Sequence, residues 1–299
     1  MLKLSFVFYF LFFILSSCGG GSKSPPTQSS STPSSNNSNT GTPANPVKTF
    51  ADLCASTGVI FCDDFEQGIK NDWIRDGGDV QLKSGQAKSG EGANIVELLT
   101  YDSFTSSKLL YTFTNQNEVY VRYDVQYAAD YDNSGGSHGP ALGGSQSPPW
   151  GMMGNAGTPP TGSDYFVLNH EPLGTIGSGG EFSFYTYFFN MFGMWGNDFV
   201  SSLTPKPIIE KDKWYCIEFG LQLNTAGTNN ADGKAYFWVD GTQHGNFDNF
   251  QWRTDAKLMA NTFMLDSYNH FNKGAPPSTK PNRVRYDNVI ISTQPVGCL

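Results

Sequence analysis

The stretch EFSFYTYFF, residues 181–189, carries two phenols two positions apart, Tyr185 and Tyr187, within a run of strand-forming residues. A strand alternates its faces with period 2, so both hydroxyls point one way while Phe184, Thr186 and Phe188 point the other. Paired phenols on one face suit either packing with wetted hydroxyls or acid/base chemistry on a polymer lying across the sheet. As a base, a tyrosine starts from a pKa of about 10 and needs a neighbouring cation to favour the phenolate. Arg122 is the candidate cation; it shares the polar face of EVYVRYDVQY with Gln126, and an ordinary solvated strand residue is its alternative reading. His138, in a glycine-rich loop, and His270, at the end of LDSYNHF, are the candidate imidazoles, because loops at a sandwich edge fold over a groove. Asn169, in DYFVLNHEP, offers an amide; His170 beside it reads equally as structural or functional, and His244 falls in a hairpin turn.

The elements that must position these groups are short alternating segments punctuated by Gly, Asn, Asp and Pro, with no helical period. In EVYVRYDVQY, Val119, Val121, Tyr123, Val125 and Tyr127 form one face, and in WYCIEFGLQLN, Tyr215, Ile217, Phe219, Leu221 and Leu223 do the same. KAYFWVDG, NTFMLDSYNHF and RVRYDNVIIS continue the series, and Asp240-Gly241 reads as a hairpin turn. The pattern predicts an all-β jelly-roll sandwich of two antiparallel sheets, in which the outer face of one sheet is concave.

The chain has 299 residues and a formal net charge of −8 with no basic cluster, which argues against nucleic acid or an anionic membrane surface as a partner. Residues 1–17 pair one early lysine with an apolar stretch of secretory-signal length. The junction LSSC before GGGS resembles the lipobox of bacterial lipoproteins, which implies lipidation of Cys18, anchoring to the outer membrane or cell surface, and export. Residues 18–48, almost entirely Gly, Ser, Thr, Pro and Asn, cannot bury enough apolar surface to fold and read as a flexible tether. Residues 49–299 then form one domain. Cys54, Cys62, Cys216 and Cys298 are an even set in an exported chain, so two disulfides are expected; three pairings are open, with Cys54–Cys62 and Cys216–Cys298 favoured.

FCDDFEQG, KWYCIEFGLQLNT with DGKAYFWVDG, and RVRYDNVIIS resemble the opening, central and closing strands of concanavalin-like jelly rolls, which include LamG-type modules and the polysaccharide lyases of alginate and glucuronan. GGSHGPALGG, residues 135–144, resembles a loop of the jelly-roll alginate lyases, with His138 or Ser137 where those enzymes have lysine. YTY resembles their paired-tyrosine strand, and Asn169 and His170 stand where they offer serine and arginine. The resemblance implies β-elimination on a uronic-acid polymer without a required cofactor. Arg122, with Asn169, would hold the carboxylate, while Tyr185, Tyr187 and one of His138 and His270 would move the protons.

Around them, Gln126, Glu218, Gln222, Trp150 and Trp195 are the candidate substrate contacts, the tryptophans as stacking surfaces for sugar rings. A hydrolase would need two acids flanking the scissile bond, and no run places two on one strand face. A non-catalytic glycan-binding or adhesion module would use the same trough, with Trp214, Trp238 and Trp252 as further stacking candidates; a surface-assembly domain would use none of it. Asp63, Asp64, Glu66 and Asp287 resemble the places where jelly rolls hold a structural Ca²⁺, with Glu66 and Asp287 as the candidate ligands and a solvated acidic edge as the alternative.

Overall fold

The computed structural model describes residues 48–101, 105–270 and 281–299. The leader, Cys18 and the tether up to residue 47 lie outside the described residues. In chain order the strands are β1 Val59–Asp63, β2 Ile74–Gly77, β3 Asp79–Ser84, β4 Asn94–Thr100, β5 Thr105–Gln116, β6 Glu118–Tyr127, β7 Ser137–His138 and β8 Ala141–Ser145. They continue with β9 Tyr165–Leu173, β10 Glu181–Tyr187, β11 Asn197–Val200, β12 Trp214–Gln222, β13 Gly233–Val239, β14 Thr242–Phe250, β15 Ala260–Asn269 and β16 Asn282–Ser292.

These strands make two antiparallel sheets. The first runs β14-β13-β12-β6-β16-β4-β3 with β1 added on β16; the second runs β11-β10-β9-β8-β15-β5-β2 with β7 added on β15. The alternation read from the sequence sets the core: Val119, Val121, Tyr123 and Val125 of β6 and Ile217, Phe219 and Leu221 of β12 meet Phe166, Leu168, Phe182, Phe184, Phe263 and Leu265 of the second sheet. Each such side chain contributes about 1.5–3 kcal/mol on leaving water. Asp240 and Gly241 turn β13 into β14 with φ of 52° and 78°, the paired positive values of a tight hairpin turn.

One polar group is built into this core. His170 lies between the rings of Phe182 and Phe219, at 5.3 and 5.4 Å and nearly parallel to both. The Tyr123 hydroxyl is 3.0 Å from its Nδ1. Burial holds the imidazole neutral, with a pKa lowered to about 3. Since burial also keeps the Tyr123 phenol protonated, the hydroxyl donates to Nδ1 and the ring proton resides on Nε2.

A third layer covers the outer face of the first sheet. The sequence shows no helical period, yet Phe50–Cys54 forms a helix, α1, whose five residues are too few to display one. Its start is encoded by a capping box in which Thr49 and Asp52 satisfy each other's backbone N–H. Phe50 and Leu53 pack on Ile290 of β16. Cys54–Cys62 ties α1 to β1, and Cys216–Cys298 ties the C-terminal tail to β12. Glu218 accepts from the Val296 and Gly297 amides at 2.6 and 3.2 Å, fastening the tail along its length.

Beneath this layer Arg122 is buried, paired with Asp124 at 2.8 Å and donating to the Asn288 carbonyl at 2.8 Å. Removing one partner of a buried pair strands the other's charge, so Arg122→Ala is expected to cost about 3–5 kcal/mol in chemical denaturation. A second expectation concerns acid. The folded pKa of His170 lies below the ordinary 6.5, so the stability from its neutral ring is complete above that pH and is lost as pH falls towards about 3. Denaturant midpoints followed from pH 7 to pH 4 are expected to fall less steeply in His170→Phe than in the parent.

Candidate active site on the second sheet

The residues that share the outer face of the second sheet follow from register. Tyr185 pairs with Asn169, Tyr187 with Val167 and Ser183 with Glu171 between β10 and β9; Ala141 of β8 then pairs with Asn169. On β15, Met264, Asp266 and Tyr268 have the same parity, and Tyr268 pairs with His138 of β7. Gly139 lets β7 lie this close, because a Cβ there would collide with the His170 carbonyl. Gly196 plays a similar part above β10: a Cβ there would come within 2.6 Å of the Tyr185 ring, and its N–H donates to the Tyr185 hydroxyl at 3.0 Å.

The centre of the cluster is His138. Its Nδ1 is 2.6 Å from Glu171 Oε2, and its ring stacks on Tyr185 and Tyr268 with centroids 5.1 and 5.4 Å apart. His270 meets it edge-on at 5.5 Å. Burial opposes charge on the imidazole, but the Glu171 carboxylate outweighs it and raises the His138 pKa. Burial in turn raises the Glu171 carboxyl against the pull of His138, so one proton is shared tightly between them. The Tyr185 hydroxyl lies 3.4 Å from that of Tyr187, and burial together with this phenol neighbour pushes the Tyr185 pKa up. Tyr185 is thereby kept a proton donor. Asn169 braces it from the next strand, donating Nδ2–H to the Tyr185 carbonyl at 2.9 Å.

Beyond Tyr187 the face turns apolar, with Leu110, Ala141, Met152, Tyr165, Val167 and Met264 packed together. Two segments rise beside it. A 3₁₀ turn, Trp150–Met152, seats Met152 in this cluster and leaves Trp150 exposed; the segment before β11 exposes Phe192, Met194 and Trp195. Acid/base groups and stacking surfaces thus occupy neighbouring parts of one face, an arrangement able to hold a chain of sugar rings and move protons at one of its bonds.

Of the sequence-derived candidates, the structure brings together Tyr185, Tyr187, His138, Asn169 and His270, with Trp195 next to Gly196 and Trp150 next to the Met152 turn. It does not bring Arg122, Gln126, Glu218 or Gln222 to them. All four belong to β6 or β12 of the first sheet, and their parity is that of its outer face. Arg122 is spent on Asp124, Glu218 on the tail, and Gln126 on Arg285 and the Asp212 carbonyl. Gln126 instead lines a hollow of about 370 Å³ with Glu97, Trp214 and Arg285, which carries none of the phenols or imidazoles.

The acids considered for Ca²⁺ are engaged with protein donors. Glu66 Oε1 accepts from the Ala93 and Asn94 amides, Asp63 from Phe65 N–H and Trp73 Nε1–H, and Asp287 from Asn288 N–H. Among the described residues no three His, Cys, Asp or Glu side chains form a group placed to hold a metal ion.

Sequence reasoning passed over Glu171, Asp266 and Tyr268. The signal was available, since Asn169 and Glu171, like Asp266 and Tyr268, stand two apart on alternating strands.

No family model matches the chain, and no curated protein matches it. Among solved structures it is similar to alginate lyase vAL-1 from Chlorella virus, with a TM-score of 0.54 and 17% identity over 78% of this chain and 99% of that one. It is also similar to the endo-β-1,4-glucuronan lyase of the fungus Trichoderma reesei (0.52, 14%, over 79% and 96%). The marine PL-14 alginate lyase of Aplysia kurodai resembles it to the same degree (0.52, 14%, over 72% and 87%). These likenesses establish the jelly-roll β-sandwich.

The raised His138 pKa gives a direct check. By NMR titration its imidazole is expected to lose its proton above the ordinary 6.5, and in Glu171→Gln, which removes the carboxylate, at a clearly lower pH.

Proposed function

We propose that this protein is an exported, lipid-anchored lyase that breaks a uronic-acid polymer such as alginate or glucuronan by β-elimination. The observation that carries the reading is the 2.6 Å contact between His138 and Glu171, stacked on a phenol kept in its protonated form. An ionised Glu171 accepts the Nδ1–H of His138, which leaves the Nε2 lone pair as the base. That base takes the C5 proton of the sugar. The electron pair forms the C4–C5 double bond, the C4–O4 bond breaks, and the Tyr185 phenol donates its proton to the departing O4. Tyr187, within 3.4 Å, is the route by which Tyr185 regains a proton.

The assignment differs from the sequence-level one in which a phenolate is the base. No guanidinium adjoins Tyr185 among the described residues, so its raised pKa suits the acid's part. Trp150 and Trp195 are proposed to stack flanking sugars, and Asn169 to orient Tyr185 or meet the sugar carboxyl with its amide. The reaction requires no cofactor. The leader pattern and Cys18 support attachment to the outer membrane or cell surface through lipid alone, and the charge of −8 disfavours nucleic acid as a partner.

A second reading, a non-catalytic glycan-binding module, is favoured by the exposed Phe192, Met194, Trp195 and Trp150. Ultraviolet absorbance of the conjugated elimination product during incubation with uronans separates the two. Under the lyase reading, Tyr185→Phe and His138→Ala each lower kcat/KM by about 10²–10⁴-fold while retardation on polymer-containing gels persists. Retardation of the parent protein without any absorbance would identify the binding module.

A further inference from the structure

The outer face of the first sheet is sealed only in part. α1 rests on Ile290 and the tail on Glu218, and neither lines the hollow of about 370 Å³ around Arg285. Register aligns a row of polar side chains through it. Gln81 of β3 pairs with Glu97 of β4, Glu97 with Arg285 of β16, Arg285 with Gln126 of β6, and Gln126 with Trp214 of β12. Four inter-strand steps of about 4.8 Å carry this row across about 19 Å, the length of a short oligosaccharide. Lys83, two positions from Gln81 on β3, shares its face. The loop after β3 makes one wall: the Gly85 N–H donates to the Ala93 carbonyl at 2.9 Å and the Gln86 amide to the Gly92 carbonyl at 3.2 Å.

The row is held stiff by its own bonds. Arg285 donates Nε–H to Glu97 at 3.0 Å and Nη1–H to Gln126 Oε1 at 2.6 Å. Gln126 Nε2 in turn donates to the Asp212 carbonyl at 3.1 Å, which fixes the turn leading to Trp214. Arg285 Nη2 makes no hydrogen bond with a described residue, and the exposed Lys83 ammonium forms no ion pair with one. The one acid of the lining, Glu97, is buried and committed to Arg285; Asp212, 4.0 Å from Nη1, is largely exposed and outside the lining.

Trp214 is half-buried and lies outside the aromatic cluster of the core. An indole beside a guanidinium and an ammonium offers a surface for the C–H face of a pyranose and charge for a carboxylate on the same ring. Because the guanidinium is already oriented, little freedom is lost on binding. We propose that this hollow is a second glycan-binding site, taking a uronic-acid unit with its ring on Trp214 and its carboxylate at Arg285 Nη2 and Lys83. The site faces away from His138 and Tyr185, so one protein holds two segments of polymer at once. The choice of polymer rests on the lyase reading above; binding in the hollow needs no cleavage.

The test measures retardation on gels containing alginate or glucuronan in the His138→Ala background, which leaves the polymer intact. Adding Trp214→Ala or Lys83→Ala is expected to weaken the apparent affinity about 2–10-fold, the range of one aromatic or charge-assisted contact, whereas Lys83→Arg retains it. Lys83 is exposed and unpaired among the described residues, so thermal unfolding of Lys83→Ala is expected to match the parent. Retardation unchanged by both Trp214→Ala and Lys83→Ala, or absent in the parent protein, overturns the second site. Weakening in only one of the two overturns the joint assignment of ring and carboxylate. Weakening in both, with no ultraviolet absorbance when His138 is present, overturns the lyase reading and leaves the second site in place.

Discussion

The alternation of side chains along β9 is the constraint on which the rest depends. His170 must enter the core because its neighbours Asn169 and Glu171 face outwards, and neither side can be changed without the other. The inward imidazole is tolerated because aromatic rings close over it from both sheets and a phenol donates to it. The outward carboxylate is tolerated because another imidazole, on β7, shares its proton. One strand thus supplies a neutral histidine to the packing and a carboxylate to the outer face, and the backbone period keeps them from interfering.

The two outer faces of the sandwich are treated in opposite ways. On the first sheet, buried polar groups are sealed by α1, the tail and two disulfides, so Arg122 and Glu218 become structural despite residue types suited to binding. On the second, the polar cluster stays partly exposed, and short glycine-mediated approaches bring a loop and an edge segment over the phenols. Burial is what shifts the acid–base groups there: each is desolvated enough to be tuned by a neighbour, while His138, Tyr185, Tyr268 and His270 keep part of their surface exposed.

Much of this was legible in the residues. Tyr123 and Phe219 face inward and the two phenols of β10 face together, as their period requires; Asp240-Gly241 turns as its residue types demand. What was not legible is which outer face is covered. That depends on a helix too short to leave a period and on a tail that the favoured Cys216–Cys298 pairing ties to β12, but whose course over Glu218 is set by backbone amides, which carry no sequence signature. The placement of Arg122 away from Tyr185 is therefore a question of sheet membership, set by contacts more than a hundred residues apart, such as that with Asn288. Glu171 is legible from the period alone, since it stands two positions from Asn169 on β9 and so shares its face.

Lys48 leads directly into the helix that lies on the back of the first sheet. The phenols and imidazoles are displayed on the opposite side, so the chain enters the domain at the back and the described entry segment leaves the acid–base face clear.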